Sequence, residues 1–266
     1  IMFKNKNFLT IIILLFLIIF LIILTNTVYS SYLNKTTLEN TIYKVLENNE
    51  QTIFSINKIV YFSSASANTN ITSSNLNVKN LLQYTDIAIY LNNNTSNFSA
   101  ENTLKSVYID NINYSKKPEL GTPSLYYKNI NDFSKDIFIE NNKITNTLIY
   151  DVTSEDSLDY SEAILFNNCA NPITLSYVNS DIKSNYTLPA SQTSITYDGS
   201  LLKNSNILLN SISCSISFDI NIINNLDEKF ICPIYIDIPL NSKSNSIYNG
   251  NFTLIDNTNY TFFRYK

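Results

Sequence analysis

The hydrophobic pattern of the chain begins with one unbroken apolar run, Phe8–Leu24, in which Thr10 is the only polar residue. As a helix this run would span about 26 Å at roughly 1.5 Å per residue, near the lower limit for crossing a bilayer. A signal-peptide core is typically shorter, about 7–15 residues, so an uncleaved membrane anchor is favoured. The alternative is a cleaved leader, because a Val-Tyr-Ser triplet offers a weak peptidase site between Ser30 and Ser31.

The charges around this run predict its orientation. Lys4 and Lys6 precede it, and the next cation is Lys35. Because positive flanks stay inside, the N-terminus is expected in the cytoplasm and everything after about residue 30 outside. The sequence therefore predicts a single-pass protein of the cell membrane. It would contact the lipid bilayer through Phe8–Leu24 and hold the bulk of its chain extracytoplasmic.

Helical periodicity follows the run. Apolar residues recur at steps of three, four and seven from Leu38 onward, and Thr36 with Glu39 forms a capping-box pattern. These features predict an amphipathic helix over Thr36–Val60, which could continue the membrane helix as a stalk. Its stripe could form a coiled-coil seam or pack on a sheet, and sheet packing is favoured because Asn49 interrupts the seam.

The pattern then changes to that of β-strands. Ser63–Asn77 is rich in Ser, Asn and Thr and predicts a surface loop or linker. From Leu81 onward, short alternating segments predict antiparallel strands. The acidic, polar stretch Asp151–Glu162 suggests a domain boundary. The predicted class is α+β, with 1–32 as cytoplasmic flank and transmembrane anchor, 33–150 as amphipathic helix plus antiparallel sheet, and 151–266 as a β-sandwich.

The strongest strand lies in the C-terminal half, where apolar and polar residues alternate from Ile212 to Ile222. Phe230–Ile238 repeats the alternation and predicts the partner strand of a hairpin. Pro233 and Pro239 fall on the other phase, so this partner is expected at a sheet edge or with a bulge. The density of short strands predicts a β-sandwich, for which an immunoglobulin-like architecture is one option, although the Cys…Trp…Cys hallmark of that fold is absent.

This hairpin constrains the cysteines, which are Cys169, Cys214 and Cys232. With the turn near Leu226, Cys232 should lie opposite about Ile220, roughly 20 Å along the strand from Cys214. A disulfide needs Cα atoms within about 7 Å, so Cys214 and Cys232 are not expected to pair. Cys169 could reach one of them, or all three could remain thiols.

Composition excludes several chemistries. The chain has no histidine, which removes His-based catalytic triads and most zinc sites. Its three glycines cannot form a phosphate-binding loop, and no cofactor is expected. The net charge is −4 and Arg264 is the only arginine, so nucleic acid is not an expected partner.

An acidic cluster is the best candidate for chemistry. Its oxygens could bind Ca²⁺, or two of its carboxylates could hydrolyse a glycoside, but it lacks the spacing of an EF-hand loop. A solvated linker is the favoured interpretation. The members of the cluster are Asp151, Glu155, Asp156, Asp159 and Glu162. The 19 tyrosines could likewise line a binding face, although half-buried sheet packing is favoured.

The overall layout resembles that of type IV pilins and pseudopilins. The residues that carry the resemblance are Lys4–Val60, a basic flank followed by an apolar and then amphipathic helix, and the strands after Leu81. The chain departs from the pilin motif because no Gly precedes Phe8 and Ile12 stands where pilins carry Glu. The resemblance implies envelope or self-assembly partners.

The expected function is that of a non-enzymatic, membrane-anchored cell-surface or envelope protein with a structural or adhesive role. The alternative is a membrane-tethered extracytoplasmic binding module for a glycan or peptide.

Overall fold

The structure, a computed structural model, describes residues 24–25, 28–29, 53–71, 75–93, 98–130, 138, 140–153, 163–189, 196–240 and 246–265. The chain separates into two compact units, 1–51 and 52–266. In the first unit only Leu24, Thr25, Val28 and Tyr29 are described, and they are helical. Within the described part of the chain, no helix has the length and apolar character needed to span a membrane. Apart from Leu24, the predicted anchor lies outside the described residues.

The second unit consists mostly of β-strands. In chain order these are β1 Phe54–Ile71, β2 Asn75–Asn93, β3 Leu104–Lys116, β4 Thr122–Tyr127, β5 Leu148–Thr153, β6 Ile164–Phe166, β7 Ile173–Pro189, β8 Cys214–Asn224, β9 Lys229–Ile238, β10 Phe252–Asp256, β11 Tyr260–Thr261 and β12 Phe263–Tyr265. Short helical segments occur at Glu140–Asn142, Ser200–Asn204, Leu209–Ile212 and Ile247–Asn249. The predicted antiparallel, β-rich character is confirmed.

The strands form two sheets. Sheet 1 has the order β10-β1-β2-β7-β4, with β11 also paired to β1, and sheet 2 has the order β12-β9-β8-β3-β5-β6. The described pairings are antiparallel except for that of β5 with β6, which is parallel. One buried apolar cluster draws side chains from both sheets, including Ile87 and Leu175 of sheet 1 and Val107 and Ile220 of sheet 2.

The amphipathic helix predicted to reach Val60 is wrong over its last residues, because β1 begins at Phe54. Residues 36–52 of that prediction lie outside the described residues. A bulge between Ile56 and Lys58 shifts the alternation, so that Phe54, Ile56 and Ile59 are all buried. The bulge turned a strand period of two into spacings that imitate helical steps. The resemblance to the pilin layout therefore does not hold from Phe54 to Val60, where the chain forms a strand in place of the predicted helix.

The predicted linker Ser63–Asn77 is also wrong, since β1 runs to Ile71 and β2 starts at Asn75. Ser63 is fully buried, and its Oγ lies 2.8 Å from Thr85 Oγ1 on β2. Ser64 donates a 2.7 Å hydrogen bond to the Asn251 amide oxygen. These hydroxyls are partnered within the protein, which lets a polar segment occupy an interior strand.

A second apolar cluster explains why this part of β1 is ordered as a strand. It combines Ala65, Leu81 and Ile182 of sheet 1 with Leu201 and Leu202 of the short helix. Small side chains on β1 therefore lie beneath larger ones from β2, β7 and the helix. This part of β1 needs few large apolar side chains of its own, because β2, β7 and the helix contribute them to the cluster.

Both sheets combine strands from either side of Asp151, the position of the predicted domain boundary. In sheet 1, β1 pairs with β10 and β2 pairs with β7. In sheet 2, β3 pairs with β8. The segments 52–150 and 151–266 are therefore interleaved within one compact unit.

The β8–β9 hairpin has the predicted register, with Ile220 opposite Cys232 and Cys214 opposite Ile238. Cys214 and Cys232 are therefore unpaired, as predicted, and Cys169 is also a free thiol. The predicted edge position of this partner strand holds only in part. Among the described strands β12 lies outside β9 and pairs with it at residues 229–231, and Pro233 falls beyond that pairing.

Candidate functional site

The candidate site lies on the face of sheet 1 that points away from the shared core. Along β2, Ile87 and Ile89 point into the core, so the alternating Tyr84 and Asp86 point to the opposite face. Asp86 lies opposite Ser176 of β7. Although this face is turned from the core, Asp86 is 0% exposed.

The partner of this carboxylate is a buried lysine. Lys128 directly follows β4, and its backbone N–H bonds to the Thr174 carbonyl of β7 at 3.4 Å. Its Nζ lies 3.0 Å from Asp86 Oδ1 and 3.0 Å from Oδ2, and Lys128 is only 2% exposed. Ser176 donates a 2.7 Å hydrogen bond to Oδ1 of the same carboxylate. Three neighbouring strands, β2, β7 and β4, therefore converge on one ion pair.

Aromatic rings enclose the ammonium group. Lys128 Nζ lies 4.9 Å from the centre of the Tyr84 ring and 5.1 Å from that of Phe138. Phe138 packs on Tyr84 at 5.6 Å and on Tyr126 at 5.7 Å between ring centres. The negative faces of such rings attract a cation. They also replace water around it, so the pair lies in a low-dielectric setting where each charge depends on the other.

A second group of buried polar side chains lies on the inner face of sheet 1. Gln83 stands opposite Asn179 of β7, and both are 0% exposed. Asn179 donates a 2.9 Å hydrogen bond to the Leu120 carbonyl. Neither polar atom of the Gln83 amide, nor Asn179 Oδ1, has a hydrogen-bond partner among the described residues. Such atoms destabilise an interior by roughly 1–3 kcal/mol each.

The predicted acidic cluster is described only in part. Asp151 lies on β5 with an exposed side chain, and its backbone N–H bonds to the Ala163 carbonyl at 2.7 Å. The other four acids of the cluster lie outside the described residues. Across the described ranges, no group of three or more acidic or cysteine side chains could hold a metal ion.

Carboxylates of sheet 2 are instead engaged with neighbouring amides and hydroxyls on its outer face. Asp110 and Asp219 stand opposite each other on β3 and β8. Asn221 donates to Asp110 at 2.8 Å, and Asn111 donates to Asp219 at 2.7 Å. These hydrogen bonds from asparagine side chains thus offset the repulsion between two adjacent negative charges. Ser215 similarly donates to Asp237 on β9 at 2.6 Å.

The tyrosines divide between packing and exposure. Burial raises the pKa of Tyr177 and Tyr150, and of Tyr114 to about 12, as expected for phenols held in the sheets. Tyr177 also lies beside the Cys214 thiol, whose pKa is likewise raised by burial. Tyr235 is 75% exposed on the outer face of β9. Sheet packing therefore accounts for many of these residues, and Tyr235 remains available to a ligand.

The sequence did not identify Asp86 and Lys128. Asp86 occupies a polar phase of an alternating strand, which normally indicates a solvated residue. Lys128 follows a strand by one position, where a charged residue is common. Their meeting depends on β7, which lies between β2 and β4 in the sheet but far from both in sequence.

Comparisons with protein-family models, with curated proteins and with solved structures find no match to this chain.

Proposed function

We propose that the chain is a non-enzymatic, membrane-anchored protein of the cell surface or envelope with a structural or adhesive role. Phe8–Leu24 would anchor it in the bilayer with a cytoplasmic N-terminus. The unit 52–266 would stand outside the cell, with its two sheets packed as a β-sandwich around their shared core.

The observation that carries this proposal is the way the buried charges are used. Asp86 and Lys128 satisfy each other inside an aromatic enclosure, so they hold three strands together. A general acid or base must reach a substrate proton through a hydrogen bond, which this enclosure opposes. The arrangement supports a unit built for cohesion.

Membrane anchoring is tested by fractionation and surface protease shaving. We expect the wild-type chain in the membrane fraction, soluble only with detergent, and its 52–266 unit accessible to protease on intact cells. Replacing Leu15 and Ile18 with arginine should release it from the membrane, since each charge at a helix centre costs about 2.5–3.5 kcal/mol of insertion free energy. The matched control is Leu15→Ile with Ile18→Leu, which should stay anchored. Detergent-free solubility of the wild type, with resistance to shaving, would contradict the proposed topology.

The adhesive role is tested by attachment. Cells that display the chain should adhere to a host surface or to each other more than cells that display a scrambled-sequence control. Equal attachment of both would argue against adhesion and leave a structural role to be tested through envelope integrity.

One observation favours the second candidate, a binding module for a glycan or peptide. Tyr235 stands opposite Ser217, and the next outward position of β8 carries Asp219. An exposed ring near a hydroxyl and a carboxylate suits the stacking and hydrogen bonding that sugars offer. On a glycan array, Tyr235→Ala should abolish any saturable signal, whereas Tyr197→Ala, which alters an exposed tyrosine outside the strands, should not.

A further inference from the structure

We propose that Lys128 and Asp86 become joined by an intramolecular amide bond between Lys128 Nζ and Asp86 Cγ. This inference goes beyond the proposed cell-surface role and does not depend on it, because it rests only on the geometry of the buried pair.

The amine and the carboxyl group are held close together. Nζ is equidistant, at 3.0 Å, from both carboxylate oxygens, which places the carboxyl carbon directly behind them. Intramolecular groups that reach the correct orientation have effective molarities of about 10⁵–10⁸ M, so holding the amine in contact with the carboxyl group favours a reaction between Nζ and Cγ. Two equal contacts are typical of an amine in the plane of the carboxylate, so the movement still needed is a shift of Nζ out of that plane and over the face of the carbonyl.

The surroundings of the pair also favour the reaction. Asp86 is 0% exposed and Lys128 is 2% exposed, with the rings of Tyr84 and Phe138 around the amine. Removing water destabilises the two charges and so lowers the free-energy cost of moving one ammonium proton across the existing hydrogen bond to the carboxylate, which gives a neutral pair. The resulting free amine is a nucleophile, and the resulting carboxylic acid is an electrophile.

The reaction balances without a further reagent. The amine lone pair forms the new C–N bond at Cγ, and the negative charge that develops on Oδ1 is stabilised by the hydroxyl of Ser176, which donates to that oxygen at 2.7 Å. The other oxygen leaves as water, taking up a proton released by the nitrogen. The products are a neutral secondary amide and one water molecule, with no oxidation or reduction.

The positions of the two residues in the sheet determine which strands the bond would connect. Asp86 is on β2 and Lys128 follows β4, while β7 lies between these strands in sheet 1. The bond would therefore join both neighbours of β7 across it and close a loop with a sequence separation of 42. A crosslink of this kind restricts the unfolded chain as a disulfide does, but reducing agents do not break it.

Intact mass spectrometry of the full-length, detergent-purified, denatured chain tests the proposal. We expect the mass to be lower than that of the sequence by one water molecule. Lys128 should also resist trypsin, and its peptide should remain joined to the peptide that contains Asp86. Lys128→Arg and Asp86→Ala should each have the full sequence mass.

Asp86→Asn provides a sharper variant, because the side-chain amide would lose ammonia in place of water and give the same crosslink. A wild-type chain at its full sequence mass would overturn the proposal, whatever the folding of the variants. So would a loss of water that persists in Lys128→Arg, since it would then come from dehydration elsewhere, such as succinimide formation.

Discussion

The contribution of the buried Asp86–Lys128 pair to stability can be predicted from variants that cannot form the crosslink. The comparison among these variants is therefore independent of whether the wild-type residues are crosslinked. In Asp86→Ala, the Lys128 ammonium remains buried without its carboxylate. In Lys128→Met, the carboxylate of Asp86 keeps Ser176 but loses its cation. Leaving one member of a buried pair uncompensated typically costs about 3–5 kcal/mol, whereas replacing both by apolar groups is often neutral.

We therefore expect the double variant Asp86→Ala/Lys128→Met to be more stable than either single variant, by about 2–4 kcal/mol. For a domain of this size, such a difference corresponds to a Tm higher by roughly 5–15 °C. The measurement is urea unfolding of all three chains, followed by tyrosine fluorescence and checked by calorimetry. If the double variant is the least stable of the three, with losses that add, the two side chains are not energetically coupled and the reasoning is refuted.

An exposed pair supplies the matched control. Lys105 Nζ lies 2.6 Å from Asp227 Oδ1, but these side chains are 52% and 73% exposed. Solvent-exposed pairs contribute about 0–1 kcal/mol. Lys105→Met, Asp227→Asn and their combination should therefore differ from one another by less than about 1 kcal/mol. Asparagine is chosen because Asp227 has a φ of 63°, which asparagine tolerates.

Three further predictions concern other parts of the fold. Gln83→Met should raise the urea midpoint and stabilise the chain by about 1–2 kcal/mol. The reason is that it removes two buried amide atoms that have no hydrogen-bond partner in the described structure. A lower midpoint would show that these atoms do have partners. Gly121→Ala should lower the free energy of unfolding by about 2–4 kcal/mol, since Gly121 has a φ of 94° and a Cβ there would overlap Asn179 Oδ1; an unchanged urea midpoint would contradict that geometry. Burial raises the pKa of Cys232 to about 12. A thiol whose folded pKa exceeds its unfolded value stabilises the fold below the unfolded pKa and loses that contribution as pH rises towards 12. Stability should thus fall by roughly 1–3 kcal/mol between pH 9 and 11 through this residue, and Cys232→Ala should flatten that decline; an equal slope in both chains would rule it out.

The sequence specified most clearly those strands whose two faces meet different surroundings. Residues 214–222 alternate strictly because one face packs in the shared core and the other is more polar, so the β8–β9 register could be predicted to the residue. In β1, the bulge after Ile56 broke this alternation and produced apparent helical spacing. Ser63 and Ser64 then suggested a loop, because composition cannot reveal that buried hydroxyls find partners on adjacent chain segments.

The candidate site could not be predicted from the sequence for a different reason. The alternation around Asp86 placed it correctly on the face opposite to Ile87, and a polar residue on such a face normally contacts water. What changes its chemistry is the cover over that face, which is provided by Phe138 and Tyr84 and becomes evident only in three dimensions. A residue pattern therefore tells which way a side chain points, but burial decides whether its charge is solvated, paired or reactive. For Asp86 and Lys128, two residues of a type common at protein surfaces form a buried ion pair because the rings of Tyr84 and Phe138 lie over them.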